Sequence, residues 1–189
     1  MRELIDAIAG EYARYKALGE GALRQVEDTQ LSMPGPESGN SLAVIVWHLA
    51  GNFSSRFTDF LTSDGEKPWR QREEEFATRV VSRTELMDRW NGGWAVLMAT
   101  LASLRDQDLS RTVFIRQQPL SVREALLRSV THASYHVGQM VYLAKMHRST
   151  AWQYLSIPPG GSAAYNSNPT NEHSRGHASN LDDATEGRT

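Results

Sequence analysis

Apolar residues recur every three or four positions along four stretches of the chain, the spacing of one face of an α-helix. Leu4, Ile8, Tyr12, Tyr15, Leu18, Ala22 and Val26 form the first stripe, and Leu42, Val46, Leu49, Phe53, Phe57 and Phe60 the second. Leu86, Trp90, Trp94, Leu97, Leu101 and Leu104 mark the third, and Val122, Leu126, Val130, Ala133, Val137, Val141 and Ala144 the fourth. Two of these helices carry start signals, "SRTE" at Ser82 to Glu85 and "SVRE" at Ser121 to Glu124, where serine and glutamate can each satisfy an orphan amide. Asn40 is the candidate N-cap of the second helix. Gly92 and Gly93 interrupt the third at about 1 kcal/mol each relative to alanine, so a kink or a close helix approach is expected there.

The connections "EDTQLSMPGPESGN", "TSDGEKPWRQREEEF" and "DLSRTVFIRQQPLS" are rich in turn formers or charge. Within them "TVFIRQQPL" fits a short hairpin or a strap, and "REEEF" reads as a solvated helical turn whose Phe76 tucks inward. Four long amphipathic helices predict an all-α fold, an up-down four-helix bundle, and the core of such a bundle is a natural place for a metal.

Composition divides the chain once. After Trp152 it turns to Gly, Ser, Asn and Pro with few apolar residues, too little to offset the entropy of ordering. The expectation is a bundle over residues 1–158 and a tail over 159–189 that is flexible unless a partner chain holds it. At 189 residues and 40% apolar the chain suffices for one core, and a domain near this size buries roughly 68–70% of its unfolded surface. A formal charge of −2 offers no clustered basic face, so neither nucleic acid nor an anionic membrane is an expected partner. The acidic, amphipathic start "MRELIDAIAGEYARY" and the lack of a long uncharged apolar run predict a soluble, cytoplasmic protein.

The absence of cysteine removes disulfides, thiolate ligands and a cysteine nucleophile, so any metal must sit on His, Asp or Glu. In "THASYHVGQ" His132 and His136 lie one helical turn apart and project from the same side. Each immediately precedes a stripe residue, Ala133 or Val137, and so borders the core. In "VIVWHLAGNF" His48 precedes Leu49 in the same way. If those flanks face one another, three imidazoles converge, and three His with a fourth position open is the pattern of a catalytic zinc-type site. Hydrogen-bonded histidines at a helix boundary are the alternative. His147 suits a helix C-terminus, and the spacing of His173 and His177 in the tail reads as chance.

His48, Asn52, Ser55 and Asp59 follow at helical spacing beside the phenylalanine stripe, with Arg56 adjacent. This row is either the solvent boundary of the helix or a cavity wall leading to the loop "DGEKPWR". On the second reading Arg56 and Asp59 are candidate catalytic residues, and Asn52, Gln139, Trp69 and Arg70 candidate substrate contacts, the last two as a lid. Asp59 and Glu66 are the candidate bases for a hydrolase.

The segments "SLAVIVWHLAGNFSSRFTDFLTSDGEKPWRQREEEF", "LLRSVTHASYHVGQMVYLAKM" and "WQYLSIPPGGS" resemble the DinB/YfiT-like superfamily, in particular a bacterial branch known only as a domain of unknown function. The resemblance spans about residues 1 to 165 and implies a four-helix bundle. It also implies a divalent metal, Zn or Ni, on His48, His132 and His136, the triad that register alone brings together. Characterised members of the superfamily transfer a low-molecular-weight thiol such as bacillithiol or mycothiol to an electrophile, or use a thiol in maleylpyruvate isomerisation. The resemblance therefore implies a small thiol and an electrophile as partners, in a homodimer. The chain departs from the branch after "SIP", where Pro159 stands in place of an expected basic residue. Three neutral ligands leave a metal electrophilic toward water or a thiol, so a hydrolase and a thiol S-transferase both remain open, as does a non-enzymatic metal- or ligand-binding protein. The resemblance tips the balance toward thiol transfer.

Overall fold

Each of the four apolar stripes becomes a helix in the computed structural model, which describes residues 2–186. The long helices are α1 (Glu3–Gln25), α2 (Leu42–Phe57), α3 (Arg83–Ser103) and α4 (Val122–Arg148). Between α3 and α4 lies a two-stranded antiparallel hairpin, β1 (Thr112–Ile115) and β2 (Gln118–Ser121). The fold is mostly helical, and among the described residues no helix is long and apolar enough to cross a membrane.

One core runs through all four helices. Every stripe residue of α2 and α3 is buried, with Trp90, Trp94 and Phe53 nearly sealed from solvent. On α1 the buried line begins at Ile5 rather than Leu4, which is exposed. Tyr12, Phe53 and Trp94 stack edge to face, their ring centroids 4.8–6.5 Å apart. Arg83 joins α1 to the start of α3: its guanidinium donates to the carbonyls of Leu23 (2.8 Å) and Val26 (2.6 Å), which α1 leaves without helical partners.

The capping residues are partly those expected. Ser121 and Glu124 form the reciprocal box, and the Ser82 hydroxyl accepts from the Glu85 amide. On α2 the cap is Ser41, whose Oγ accepts from Val44 N at 3.2 Å, and not Asn40. A serine immediately before the first helical residue reaches the N3 amide, whereas a residue one position earlier does not.

The glycine pair in α3 serves a close approach. A Cβ on Gly93 would lie 2.5 Å from Ala50 Cα, so α2 and α3 touch backbone to backbone there, while Gly92 faces open space. Gly93→Ala is therefore expected to destabilise the chain by about 1–3 kcal/mol through overpacking. Gly92→Ala, by contrast, is expected to stabilise it by up to about 1 kcal/mol through helix propensity. Urea unfolding of the two single variants checks this, and a shared sign would disprove the contact.

Beyond residue 158 the composition-based tail contains α5 (Ser162–Asn166) and α6 (Ser174–Glu186). The helix α6 lies against α1, with Ala178 and Leu181 packed around Ala17, and a His177 ring nitrogen 2.9 Å from the Leu155 carbonyl. The polar average of the segment conceals this short stripe, and His177 anchors it. Residues 187–189 lie outside the described part.

The hairpin turns through Arg116 and Gln117, both at positive φ (53° and 62°), a conformation that costs non-glycine residues energy. The Asp64 carboxylate compensates by accepting from both backbone amides, at 2.8 and 2.6 Å. Gly65 N also donates to Phe114 O at 2.7 Å, so the α2–α3 loop and the hairpin form one rim. That rim overhangs the polar flank of α2.

Candidate metal centre

His48, on α2, and His132 and His136, on α4, stand together. One ring nitrogen of each lies within 4.8 Å of the others. His48 Nε2 and His132 Nε2 are 3.2 Å apart, and the ring centroids of His132 and His136 are 4.6 Å apart. The equal registers of the three residues bring this about, because the flanks of α2 and α4 face each other.

Hydrogen bonds assign two of the three tautomers. The Glu75 carboxylate accepts from His48 Nδ1–H at 2.9 Å, and the Gln139 amide oxygen accepts from His136 Nδ1–H at 2.9 Å. Both rings therefore present Nε2 as a lone pair. The Nδ1 of His132 is buried without a hydrogen-bond partner. Lone pairs gathered this way suit a cation, and the 3.2 Å pair is close to the spacing of about 3.4 Å expected between ligands about 2.1 Å from a tetrahedral centre. The donor set fits a divalent, imidazole-loving metal.

Protons compete poorly for the cluster. Burial, and then the charges of the other histidines and of Arg70 and Arg56, lower the His132 pKa to about 3. Burial and the proximity of His48 lower that of His136 to about 4, against a small opposing pull from Gln139. At neutral pH both rings are neutral. In the metal-free protein the unfolded chain takes up protons near pH 6.5 that the folded chain refuses until about pH 4 and 3. The stability these rings allow is thus complete above pH 6.5 and falls as pH drops toward about 3. Urea midpoints across that window are expected to decline in the metal-free protein. They should decline less in a His132→Phe/His136→Phe variant, and equal slopes would refute the assignment.

Behind His48 lies a buried ion pair. Arg70 grips Glu75 bidentately, Nε to Oε1 at 2.7 Å and Nη2 to Oε2 at 2.8 Å. The side chains of Arg70, Glu75 and His48 are 2%, 6% and 6% exposed. Burial pushes the Glu75 carboxyl up, but hydrogen bonds and charge from Arg70 and His48 outweigh it and hold the pKa below the usual range. Gly51, one turn past His48, makes the room: a Cβ there would overlap the Glu75 carboxylate. Phe76 stacks on His48, ring centroids 4.6 Å apart.

The cluster lines a cavity of about 510 Å³. Asn52, Arg56 and Arg70 line it, as does the hairpin through Phe114, Ile115 and Arg116. Gln139 holds His136 from behind and is not a lining residue. Asp59 lies outside. The helix α2 ends at Phe57, so the expected row breaks, and Asp59 is exposed in a turn at φ 49°. Ser55 is buried and donates to Gly65 O at 2.7 Å, pinning the loop instead of facing the cavity. Trp69 is 56% exposed on a separate groove with Trp47 and Arg79, so it forms no lid over the histidines. Glu66 is bound by Arg56 at 3.1 Å and Arg116 at 3.0 Å.

The sequence reading missed Glu75, which it placed in a solvated turn. Two signals point to it: the neighbouring Phe76 already turned inward, and the bare Gly51 one turn from His48. The hairpin's part in the cavity carries no local signal, whereas Arg128, four residues before His132 on the same helix, had the spacing that could have found it.

The family model described as "Protein of unknown function (DUF1572)" matches residues 1–161. A solved structure, of a conserved protein of Enterococcus faecalis, is similar at 19% identity and a TM-score of 0.56, covering 77% of this chain and 97% of that one. This likeness is one of fold. No curated protein matches the sequence.

Proposed function

The chain belongs to the DUF1572 family, and from that premise we propose that it is a DinB/YfiT-like up-down four-helix bundle whose divalent metal, Zn or Ni, serves a thiol S-transferase. One observation carries the proposal: three imidazoles, one ring nitrogen of each within 4.8 Å of the others, on the wall of an open cavity. A divalent cation held there supplies an electrophilic position that lowers the pKa of a thiol.

The chain's own residues do the remaining work. Glu75 and Gln139 fix the rings of His48 and His136, and Arg70 fixes Glu75. Phe57, Phe60 and Phe76 give the cavity an apolar wall that excludes water around the reacting sulfur. The sulfur lone pair forms the new S–C bond, and the leaving group departs with the pair of the bond that breaks. The thiol proton passes to solvent, since among the described residues no carboxylate lines the cavity. This last feature favours thiol transfer over hydrolysis, because of the two candidate bases Asp59 is outside and Glu66 is held by arginines.

Metal-loaded protein is expected to conjugate a small thiol to a haloarene at a rate well above that of free metal. His48→Ala is expected to lose that rate while remaining helical. Cleavage of esters without thiol conjugation would make the protein a hydrolase, and no turnover of either kind would make it a binding protein.

A further inference from the structure

Five arginines line the cavity, Arg56, Arg70, Arg72, Arg116 and Arg128, and among the described residues no acidic side chain does. Carboxylates behind the wall answer only some of this charge. Glu75 neutralises Arg70, Glu73 pairs with Arg72 at 2.9 Å, and Glu66 is shared among Arg56, Arg116 and, at 4.0 Å, Arg70. Three carboxylates thus serve four guanidinium groups. The fifth, on Arg128, has no ion pair or hydrogen-bond partner among the described residues.

Arg128 stands on α4 one turn before His132 and two before His136, on the same side of the helix, about 6 Å along the axis from His132. Arg116 reaches the same cavity from the hairpin. The aromatic rings of Phe57, Phe60, Phe114 and Tyr135 line the same cavity as the histidines. A concave, aromatic-walled site with excess positive charge concentrates anions, and guanidinium forks match the geometry of an oxyanion.

We infer that the cavity takes a small organic anion, its carboxylate or phosphate at Arg128 and Arg116 and its apolar body directed along the aromatic wall toward the histidines. This rests on the thiol-transfer reading in so far as that anion is the thiol or its electrophile. Glu66 already shows the preference in miniature, since its carboxylate sits between two of these arginines.

The test measures binding of three thiols of similar size to the full, metal-loaded chain by calorimetry at low salt. The thiols are 3-mercaptopropionate, 2-mercaptoethanol and cysteamine. The anionic thiol is expected to bind about tenfold or more tighter than the neutral one, the scale of a charge-assisted hydrogen bond, and the cationic thiol weakest. Arg128→Gln should remove most of that advantage and Arg128→Lys should restore part of it. The arginine is exposed, so neither change threatens the fold. Benzoate and phenyl phosphate, which lack sulfur, are tested on metal-free protein. Binding of either supports the inference even if no thiol binds, and the tighter of the two identifies the oxyanion. Equal affinity for the three thiols, or an anionic advantage that survives in Arg128→Gln, overturns it while leaving thiol transfer intact.

Discussion

Glu75→Ala is expected to destabilise the protein by about 3–5 kcal/mol and to weaken metal binding by about 10- to 100-fold. The stability loss follows from Arg70, whose side chain is 2% exposed and would be left as a buried cation with no carboxylate. The metal loss follows from His48, whose Nδ1–H would have no acceptor, freeing the ring to rotate its lone pair away from the other two. Glu75→Gln separates the two effects. An amide oxygen still accepts from His48 but cannot neutralise Arg70, so stability should fall while metal affinity falls less than in Glu75→Ala. Gly51→Ala approaches the same carboxylate from the other side, since its methyl group needs the space Glu75 occupies. It is expected to weaken metal binding with a smaller stability cost, about 1–3 kcal/mol. Urea midpoints and a competitive metal titration measure the two quantities. A set of variants that lose stability and keep full metal affinity would reduce Glu75 to a structural ion pair.

The contrast between Glu75 and the histidines shows what a sequence can carry. His48, His132 and His136 are legible because each is one residue ahead of a stripe position, and helical geometry converts that register into a direction. The core stripes of α2 and α3 are legible for the same reason. Glu75 sits in an irregular turn, where periodicity gives no direction, and three consecutive glutamates look alike until packing singles one out. Asp59 fails in the opposite way, because its place in the row assumed that α2 continues past Phe57. The helix α6 was hidden by averaging: one alanine, one leucine and a histidine suffice to dock it on α1, yet hardly alter the composition of the segment. The cavity's charge is the least legible feature. It is assembled from α2, the loop, the hairpin and α4, four segments whose neighbourhood no local pattern reveals.

Removing the metal is expected to lower the melting temperature by roughly 8–16 °C and leave a folded, helical protein. The fold does not depend on a cation, because Trp90, Trp94, Tyr12 and the α2 phenylalanines bury a core of their own. The ligand rings are also held in its absence, His48 by Glu75 and Phe76, and His136 by Gln139 and Tyr135. A metal held by the proposed site would therefore act by binding the native state alone, and a free concentration about a thousandfold above Kd would contribute about 4 kcal/mol. For a chain of this size each kcal/mol moves the midpoint by about 2–4 °C, which gives the expected range. Calorimetric scans of metal-loaded and chelator-treated protein measure the difference. In His136→Ala the two scans should coincide, since two histidines in a site where, among the described residues, no carboxylate lines the walls make a poor chelate. A shift that persists in His136→Ala would place the metal elsewhere, and the three imidazoles would then be the hydrogen-bonded boundary of two packed helices.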